Sequence, residues 1–257
     1  MSIKFIILGC GSSMGVPRAD GYWGKCDPKE KKNYRTRCSA LISTKNTNTL
    51  IDTSPDLRAQ LLNNKIKNIK RIFFSHMHAD QTHGINELRI FYLKNKEKLK
   101  VYADELTSNF LKKNFSYCFK STYGYPAILK LEKIKKNLVF RDKKQILNIK
   151  SIPVKHGKID CLSFIINNKL AYASDINYIY KKDLKFFLKL KYFIVDCLRI
   201  NEHPSHFNLN DVLNLINIIK PKKTILTNLQ ADFDYKSLKK KLPNNVVPAY
   251  DGMSLNI

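Results

Sequence analysis

Short apolar runs recur along the chain, and many of them end beside a glycine, an aspartate or a histidine. Runs of this length, bounded by turn-forming residues, predict β-strands. We predict strands over Ile3–Leu8, Ser39–Ser43, Thr49–Ile51, Arg71–Phe74, Lys100–Tyr102, Leu162–Ile166, Leu170–Ala173, Tyr192–Val195 and Lys223–Leu226, two more within residues 137–154, and two closing strands at Val246–Val247 and Met253–Leu255.

Four segments between these strands have the character of helices. Residues Asn208–Ile219 place apolar side chains at helical spacing, and Asn208 is a suitable N-cap. Shorter helices are predicted at Pro55–Asn63 and Tyr235–Lys241, and Asp104 can cap a helix that runs to Phe115. Helices follow strands in both halves of the chain, which predicts an α/β (α+β) fold with two sheets covered by helices.

Composition narrows the class of protein. The chain has 257 residues, of which 44% are hydrophobic and 11% aromatic, so low-complexity disorder is excluded. No repeat or linker interrupts the pattern, which predicts a single domain over residues 1–257. No apolar run approaches the roughly 20 residues that a membrane helix needs. The six cysteines are scattered and no secretion signal is evident, so we expect a cytoplasmic protein without a disulfide framework.

The net charge of +25 invites a nucleic-acid interpretation. However, the cations are mostly lysines, which are spread over residues 94–100, 130–136, 181–191 and 236–241 instead of forming one stripe. A compositional bias explains this distribution equally well, so nucleic-acid binding stays open but is not favoured. Most arginines lie in or beside the segments rich in Gly, Asp and His, which suits an anionic substrate. These are Arg18, Arg35, Arg37, Arg58, Arg89 and Arg199.

The segment at residues 75–84 follows a predicted strand and contains three of the six histidines of the chain. His76, His78 and Asp80 alternate along it, so an extended loop can direct all three to one side. Imidazole and carboxylate ligands together suit Zn²⁺, Mn²⁺ or Fe. His156 and Asp175 follow two other predicted strands. This combination predicts a metal centre rather than a merely polar loop.

These residues carry a resemblance to a known family. The HxHxD segment, the Gly9–Ser13 loop after the first strand, Asp52 after a hairpin, His156-Gly157 and Ala173-Ser174-Asp175 together resemble the metallo-β-lactamase superfamily, over nearly the whole chain. The strings GCGSSMGVP, LIDTSPDLR, HGINELR and PAYDGM are similar to the phosphoribosyl 1,2-cyclic phosphodiesterase branch. The resemblance implies a four-layer αββα sandwich with a two-metal site, although this fold supports many hydrolases.

The resemblance also implies roles for individual residues. The first metal would be bound by His76, His78 and His156. Asp175 would bridge both metals, and Asp80 would bind the second and orient an attacking metal-bound hydroxide. Behind these ligands, Asp52 would fix the loop that carries them.

Two positions depart from the pattern of the family. Gln81 stands where the family has a histidine after the aspartate, and Asn228 stands at the position of the last histidine ligand. Because amide oxygens bind Zn²⁺ weakly but are acceptable to Mn²⁺, we expect one tight site for Zn²⁺ or Mn²⁺ and a second site that is weakened, remodelled or absent. His83 is a candidate substitute ligand if the loop kinks. The cysteine-rich structural zinc motif that the branch has in the early loop is reduced here to Cys26, with Cys38 further on, so no structural zinc is expected there.

The segment Glu202–His206 is a second chemical signal. In the family's phosphodiesterases, a histidine at the start of a late helix serves as general acid, and His206 matches that placement better than His203. A capping or surface role is the alternative for this pair, and we assign His203 to substrate binding. Arg89, in the HGINELR string, is assigned to a substrate phosphate, with a buried ion pair as the alternative.

The sequence thus predicts a metal-dependent hydrolase, specifically a phosphodiesterase acting on a small cyclic phosphate or nucleotide-like substrate. A tRNA 3′-processing endonuclease of the same fold is one alternative, favoured by the charge and opposed by the short insertions. A non-catalytic ligand-binding module on a decayed scaffold is the other, and Gln81 and Asn228 are the evidence for it. A dehydrogenase is rejected, because Gly15 comes one place late for a dinucleotide fingerprint and no helix follows. No membrane partner is expected, and a homodimer is compatible with the sequence.

Overall fold

The computed structural model describes residues 2–257. Its strands form two sheets of seven strands each, within which the order is β14-β1-β2-β3-β4-β5-β6 and β13-β12-β11-β10-β9-β8-β7. The first sheet consists of β1 (Lys4–Gly9), β2 (Ser39–Ser43), β3 (Asn48–Ile51), β4 (Arg71–Phe73), β5 (Leu99–Ala103), β6 (Leu129–Lys133) and β14 (Met253–Asn256). The second consists of β7 (Asn137–Asp142), β8 (Gln145–His156), β9 (Ile159–Ile166), β10 (Leu170–Ala173), β11 (Tyr192–Asp196), β12 (Lys223–Thr227) and β13 (Val246–Pro248).

Helices connect the strands and cover the outer faces of both sheets. They are α1 (Leu57–Asn63), α2 (Ala79–Thr82), α3 (Arg89–Asn95), α4 (Glu105–Asn114), α5 (Ser116–Phe119), α6 (Leu209–Ile219) and α7 (Tyr235–Lys241), with 3₁₀ turns at Lys31–Asn33, Ile85–Leu88 and Lys181–Phe186. The capping signals act as the sequence suggests. The side chain of Asp104 accepts a hydrogen bond from the backbone N–H of Thr107, and Asn208 forms a reciprocal capping box with Asp211.

The two sheets pack face to face over a continuous apolar layer. Phe5 of the first sheet contacts Tyr172 of the second at 5.5 Å between ring centroids, and Phe73 meets Phe164 edge-on at 5.6 Å. Outside the second sheet, α6 buries Val212 among further apolar side chains, and helices cover the first sheet in the same way. This arrangement is the predicted four-layer αββα sandwich.

Strand direction determines where polar side chains meet. Strands β3 to β6 are mutually parallel, and so are β10 to β13. The carboxyl ends of parallel strands lie at one edge of a sheet, and segments that follow them can converge there. Residues that follow β3, β4, β8, β10, β11 and β12 form the site described below.

Most predicted elements are present, and the differences occur in short or polar segments. The predicted hairpin turn at Asn167-Asn168 exists, and both residues adopt the left-handed conformation that asparagine tolerates. Strand β6 and helices α2, α3 and α5 were not predicted, and α2 places Asp80 on a helix instead of in the extended loop expected there. In β6 the leucines alternate with lysines and a glutamate, so its apolar signal is weak.

The long irregular segment at residues 9–38 is held in place by the far end of the chain. The carboxylate of Asp251 accepts hydrogen bonds from the backbone N–H groups of Cys10 at 3.0 Å and Thr36 at 2.8 Å. All six cysteines are buried and free. Among residues 2–257, no helix is long and apolar enough to cross a bilayer.

Candidate metal centre

Three imidazole rings form a triangle at the carboxyl ends of the strands. His76 follows β4, His78 precedes α2, and His156 ends β8. The ring centroids of His76 and His78 are 4.4 Å apart, and each lies 5.1 Å from that of His156. The Nε2 atom of His156 lies 3.4 Å from Nδ1 of His78. We call these three residues the imidazole triangle.

The outer nitrogens of two rings in the imidazole triangle are held by oxygen atoms. The hydroxyl of Ser75 lies 3.0 Å from Nδ1 of His76, and the carboxylate of Asp52 accepts hydrogen bonds from the Ser75 hydroxyl and backbone N–H. Nδ1 of His156 donates to the carbonyl oxygen of Ser205 at 2.7 Å. Asp52 therefore lies behind the triangle, where the family pattern puts it. Such outer contacts fix ring orientation and leave the inner nitrogen available to a metal.

Glycine is required where the Ser205 loop approaches His156. Gly157 has φ of +60°, and a Cβ at this position would lie 2.7 Å from Cβ of Ser205. Any larger residue would push the loop away and disrupt the hydrogen bond from His156 to the Ser205 carbonyl.

The imidazole triangle is chemically suited to a transition-metal ion. Nε2 of His76 is buried and has no hydrogen-bond partner, which is costly unless a ligand occupies that position. Burial lowers the pKa of His76 to about 3, so the ring is neutral and its lone pair is available. The three rings form a candidate set whose ligand atoms all lie within 4.8 Å of one another. His76, His78 and His156 would therefore hold Zn²⁺ or Mn²⁺.

Beside the triangle lies a cluster of carboxylates and amides. Asp175, which follows β10, is buried and accepts a hydrogen bond at each oxygen: Oδ2 from Nε2 of Gln81 at 3.0 Å, and Oδ1 from Nδ2 of Asn228 at 3.2 Å. Nε2 of Gln81 also contacts Oδ2 of Asp80 at 3.0 Å. Burial and the charge of Asp175 raise the pKa of Asp80 to about 7.

Asp196 and His206 complete this side of the site. Nδ1 of His206 lies 2.6 Å from the fully buried carboxylate of Asp196, and Asn228 donates to the other oxygen of that carboxylate at 3.2 Å. Burial opposes the positive charge of His206, but the charge and hydrogen bond of Asp196, together with Asp175 and Asp80, raise its pKa to about 9. His206 thus carries a proton at neutral pH. Sequence reasoning missed Asp196, although its position after an apolar strand is the signal that identified Asp175.

Three further residues proposed from sequence lie at different distances from this chemistry. His203 is adjacent to His206, with ring centroids 4.9 Å apart. His83 turns away, because its ring packs against Phe115 at 5.4 Å, and it belongs to neither candidate metal set among residues 2–257. The structure does not support His83 as a substitute ligand.

Arg89 contacts the Tyr125 ring in a cavity of about 730 Å³ lined by four tyrosines and by no candidate metal ligand. The proposed ion pair of Arg89 is not formed within residues 2–257 either.

Two other arginines are next to the centre. A cavity of about 660 Å³ is lined by Asp80, Arg18 and Arg37, together with residues of the early loop. Arg18 pairs with Asp20, and Arg37 with Asp56 at 2.9 Å. Both guanidinium groups are partly exposed, so their remaining donors can reach an anion in the cavity.

Fold and site together define a family. Residues 47–227, well over half of the chain, match the model of the β-lactamase superfamily domain. The chain belongs to the metallo-β-lactamase superfamily, as the sequence motifs imply, and the superfamily is hydrolytic.

Individual relatives are similar over the full chain. A crystal structure described as a new diphosphatase from the PhnP family superimposes with a TM-score of 0.88 at 26% identity, covering 100% of this chain and 98% of that one. Human tRNase Z, short form, gives a TM-score of 0.68 at 15% identity, covering 99% of both chains, which shows the shared fold alone.

One relative is about twice as long as this chain. An octanoyltransferase of Porphyromonas gingivalis (strain ATCC BAA-308 / W83) is 28% identical over 256 residues. The match covers 98% of this chain but only 51% of the relative, so the chain spans about half the length of that protein.

Proposed function

We propose that this protein is a metal-dependent phosphodiesterase that acts on a small phosphorylated substrate, such as a cyclic phosphate or a nucleotide-like compound. The observation that carries the proposal is the imidazole triangle, with the unpartnered buried Nε2 of His76, placed beside a cavity that offers Asp80 and two arginines. The similarity to a diphosphatase of the PhnP family supports phosphorus–oxygen bonds as the target.

Each group has a role in this reaction. When bound, a metal ion lowers the pKa of water and polarises a phosphoryl oxygen. Arg18 and Arg37 would bind the substrate phosphate, a role that we transfer from Arg89. Asp80 would accept the proton of the attacking water, and His206, oriented by Asp196, would give a proton to the leaving alkoxide. The water oxygen forms the new P–O bond as the ester P–O bond breaks. His203, at the rim, would contact the substrate.

The alternatives receive less support. A decayed binding module would have no reason to keep three imidazoles whose ligand atoms lie within 4.8 Å of one another, with Nε2 of His76 buried and unpartnered. The likeness to tRNase Z is one of fold, and no observation at the site favours RNA over a small ester. Acyl transfer belongs to a relative twice as long, and we assign it to the half that this chain does not match.

The test is hydrolysis of bis(4-nitrophenyl) phosphate by metal-stripped protein reloaded separately with Zn²⁺ and Mn²⁺. We expect metal-dependent turnover that falls roughly 100-fold or more in Asp80→Ala. The control is Glu97→Ala, which removes an exposed carboxylate outside the site and should retain full activity. If neither metal restores turnover, the phosphodiesterase proposal is rejected.

A further inference from the structure

Gln81 and Asn228 occupy a special position in the centre. Both are buried, and both direct a side-chain amide at the carboxylate of Asp175, from opposite segments of the fold. Gln81 lies on α2, which follows β4 of the first sheet, whereas Asn228 follows β12 of the second sheet. Two amides thus meet at one buried carboxylate from the two halves of the sandwich.

The chemistry of the neighbours dictates which end of each amide faces inward. A carboxylate accepts hydrogen bonds and cannot donate them when ionised. Gln81 faces both Asp80 and Asp175, and Asn228 faces both Asp175 and Asp196, so each amide must present its N–H group. Consistently, the Oε1 atom of Gln81 is the one left buried without a partner. An N–H group cannot coordinate a cation.

These donors also compete with a second cation for the carboxylate oxygens. Each oxygen of Asp175 already accepts from an amide, and each oxygen of Asp196 accepts from Asn228 or contacts His206. Buried carboxylates require compensation, by a cation or by hydrogen-bond donors. On this side of the centre the protein supplies that compensation itself.

Resting on the metal centre of the proposed function, we propose that the amides of Gln81 and Asn228 replace a second cation, so that the centre binds one metal ion, in the imidazole triangle. Gln81 and Asn228 are then positioning residues, which hold Asp80 and Asp175 beside the single ion. The two sides of the centre are chemically distinct: one offers imidazole nitrogens to a cation, and in the other amide N–H groups donate to the buried carboxylates.

A competing arrangement uses His156, Asp175 and His206, whose potential ligand atoms also lie within 4.8 Å of one another. This set shares His156 with the imidazole triangle, where its Nε2 faces His78. A cation there would also compete with both amides for the oxygens of Asp175. Forming it would therefore weaken the hydrogen bonds of two buried amide donors, which is unfavourable because buried donors need partners.

The experiment is a measurement of bound metal in the purified, metal-stripped chain after it is reloaded with excess Zn²⁺ or Mn²⁺ and desalted. Elemental analysis by mass spectrometry should give one metal ion per chain for the unchanged protein. It should give two metal ions per chain for the double variant Gln81→His/Asn228→His. Electron paramagnetic resonance of the Mn²⁺ forms should show an isolated ion in the former and a coupled pair in the latter. Gln230→His is the matched control, since it adds an imidazole two residues from Asn228 and should still bind one ion.

Each outcome separates this inference from the proposed function. Two ions in the unchanged protein, or one in a folded double variant, overturn the role of the amides and leave the phosphodiesterase proposal standing. If the unchanged protein binds no ion, the metal centre itself is rejected. If the double variant does not fold, Gln81→Glu provides the second test. A third carboxylate against Asp80 and Asp175 should make the melting temperature rise with a second equivalent of Zn²⁺, and no such rise overturns the inference.

Discussion

The two sides of the centre satisfy their buried polar groups in opposite ways. In the imidazole triangle, outer nitrogens are hydrogen-bonded while an inner nitrogen, Nε2 of His76, has no partner. On the carboxylate side, both oxygens of Asp175 accept a hydrogen bond from an amide. On the imidazole side the unpartnered atom is a nitrogen that a cation can bind, whereas on the carboxylate side both oxygens of Asp175 have donors and the unpartnered atom is Oε1 of Gln81. Ligand-type residues in proximity therefore do not suffice to define a metal site; the partners of each atom decide.

The largest effect should come from the imidazole side. His78→Ala removes one of three nitrogen ligands from an exposed position, so folding should be preserved. We expect metal affinity to fall on the order of 100-fold or more, with turnover lost at limiting metal. Competition with a chromogenic chelator measures the affinity. Unchanged affinity would show that the metal lies elsewhere, for example in the set that contains His206.

The next effect, on chemistry and not on metal content, should follow from His206→Ala. If this residue protonates the leaving group, kcat should fall roughly 100-fold or more for an alkyl phosphodiester. The loss should be much less for a nitrophenyl ester, because nitrophenolate leaves without a proton. Bound metal should stay the same. Equal losses for both substrates would contradict the general-acid role, and loss of metal would make His206 a ligand.

A weaker effect, on substrate binding, should follow from changing an arginine of the cavity beside Asp80. Arg18→Gln should raise KM about tenfold with kcat nearly unchanged, as expected when one charge-assisted hydrogen bond of about 1.5 kcal/mol to a phosphate is lost. Arg89→Gln is the matched control, because it removes an arginine from the tyrosine-lined cavity. The comparison is decisive in either direction: a raised KM in the Arg89 variant alone would return substrate binding to the residue first assigned from sequence.

The sequence predicts the scaffold better than the details of the centre. Strand ends followed by His76, His156 and Asp175 can be read directly, since apolar runs and turn residues are local signals. The hydrogen-bond partners of Asp175 cannot be predicted in this way, because Gln81 and Asn228 are far apart in the chain and meet only when the sheets pack. Arg89 shows the same limit: its motif was recognised, but its direction depends on how α3 packs.

The smallest effect concerns a carboxylate outside the centre that is held by an amide and by a backbone donor. Asp234 accepts hydrogen bonds from Nδ2 of Asn33 at 2.6 Å and from the backbone N–H of Ser237 at 2.9 Å, at the start of α7. Burial opposes its charge, but these donors lower its pKa to about 2. A pKa below the unfolded value adds stability above about pH 4, and that contribution is lost as the pH falls toward 2.

Asp234→Asn should therefore lower the free energy of unfolding by about 1 kcal/mol at pH 7, since asparagine can still cap α7 but carries no charge. Urea titrations from pH 7 to pH 2 should show the difference from the unchanged protein shrinking toward zero at the acidic end. Glu97→Gln, at an exposed position, should show no such difference. A pH-independent difference for Asp234→Asn would mean that the amide and backbone donors act through geometry alone.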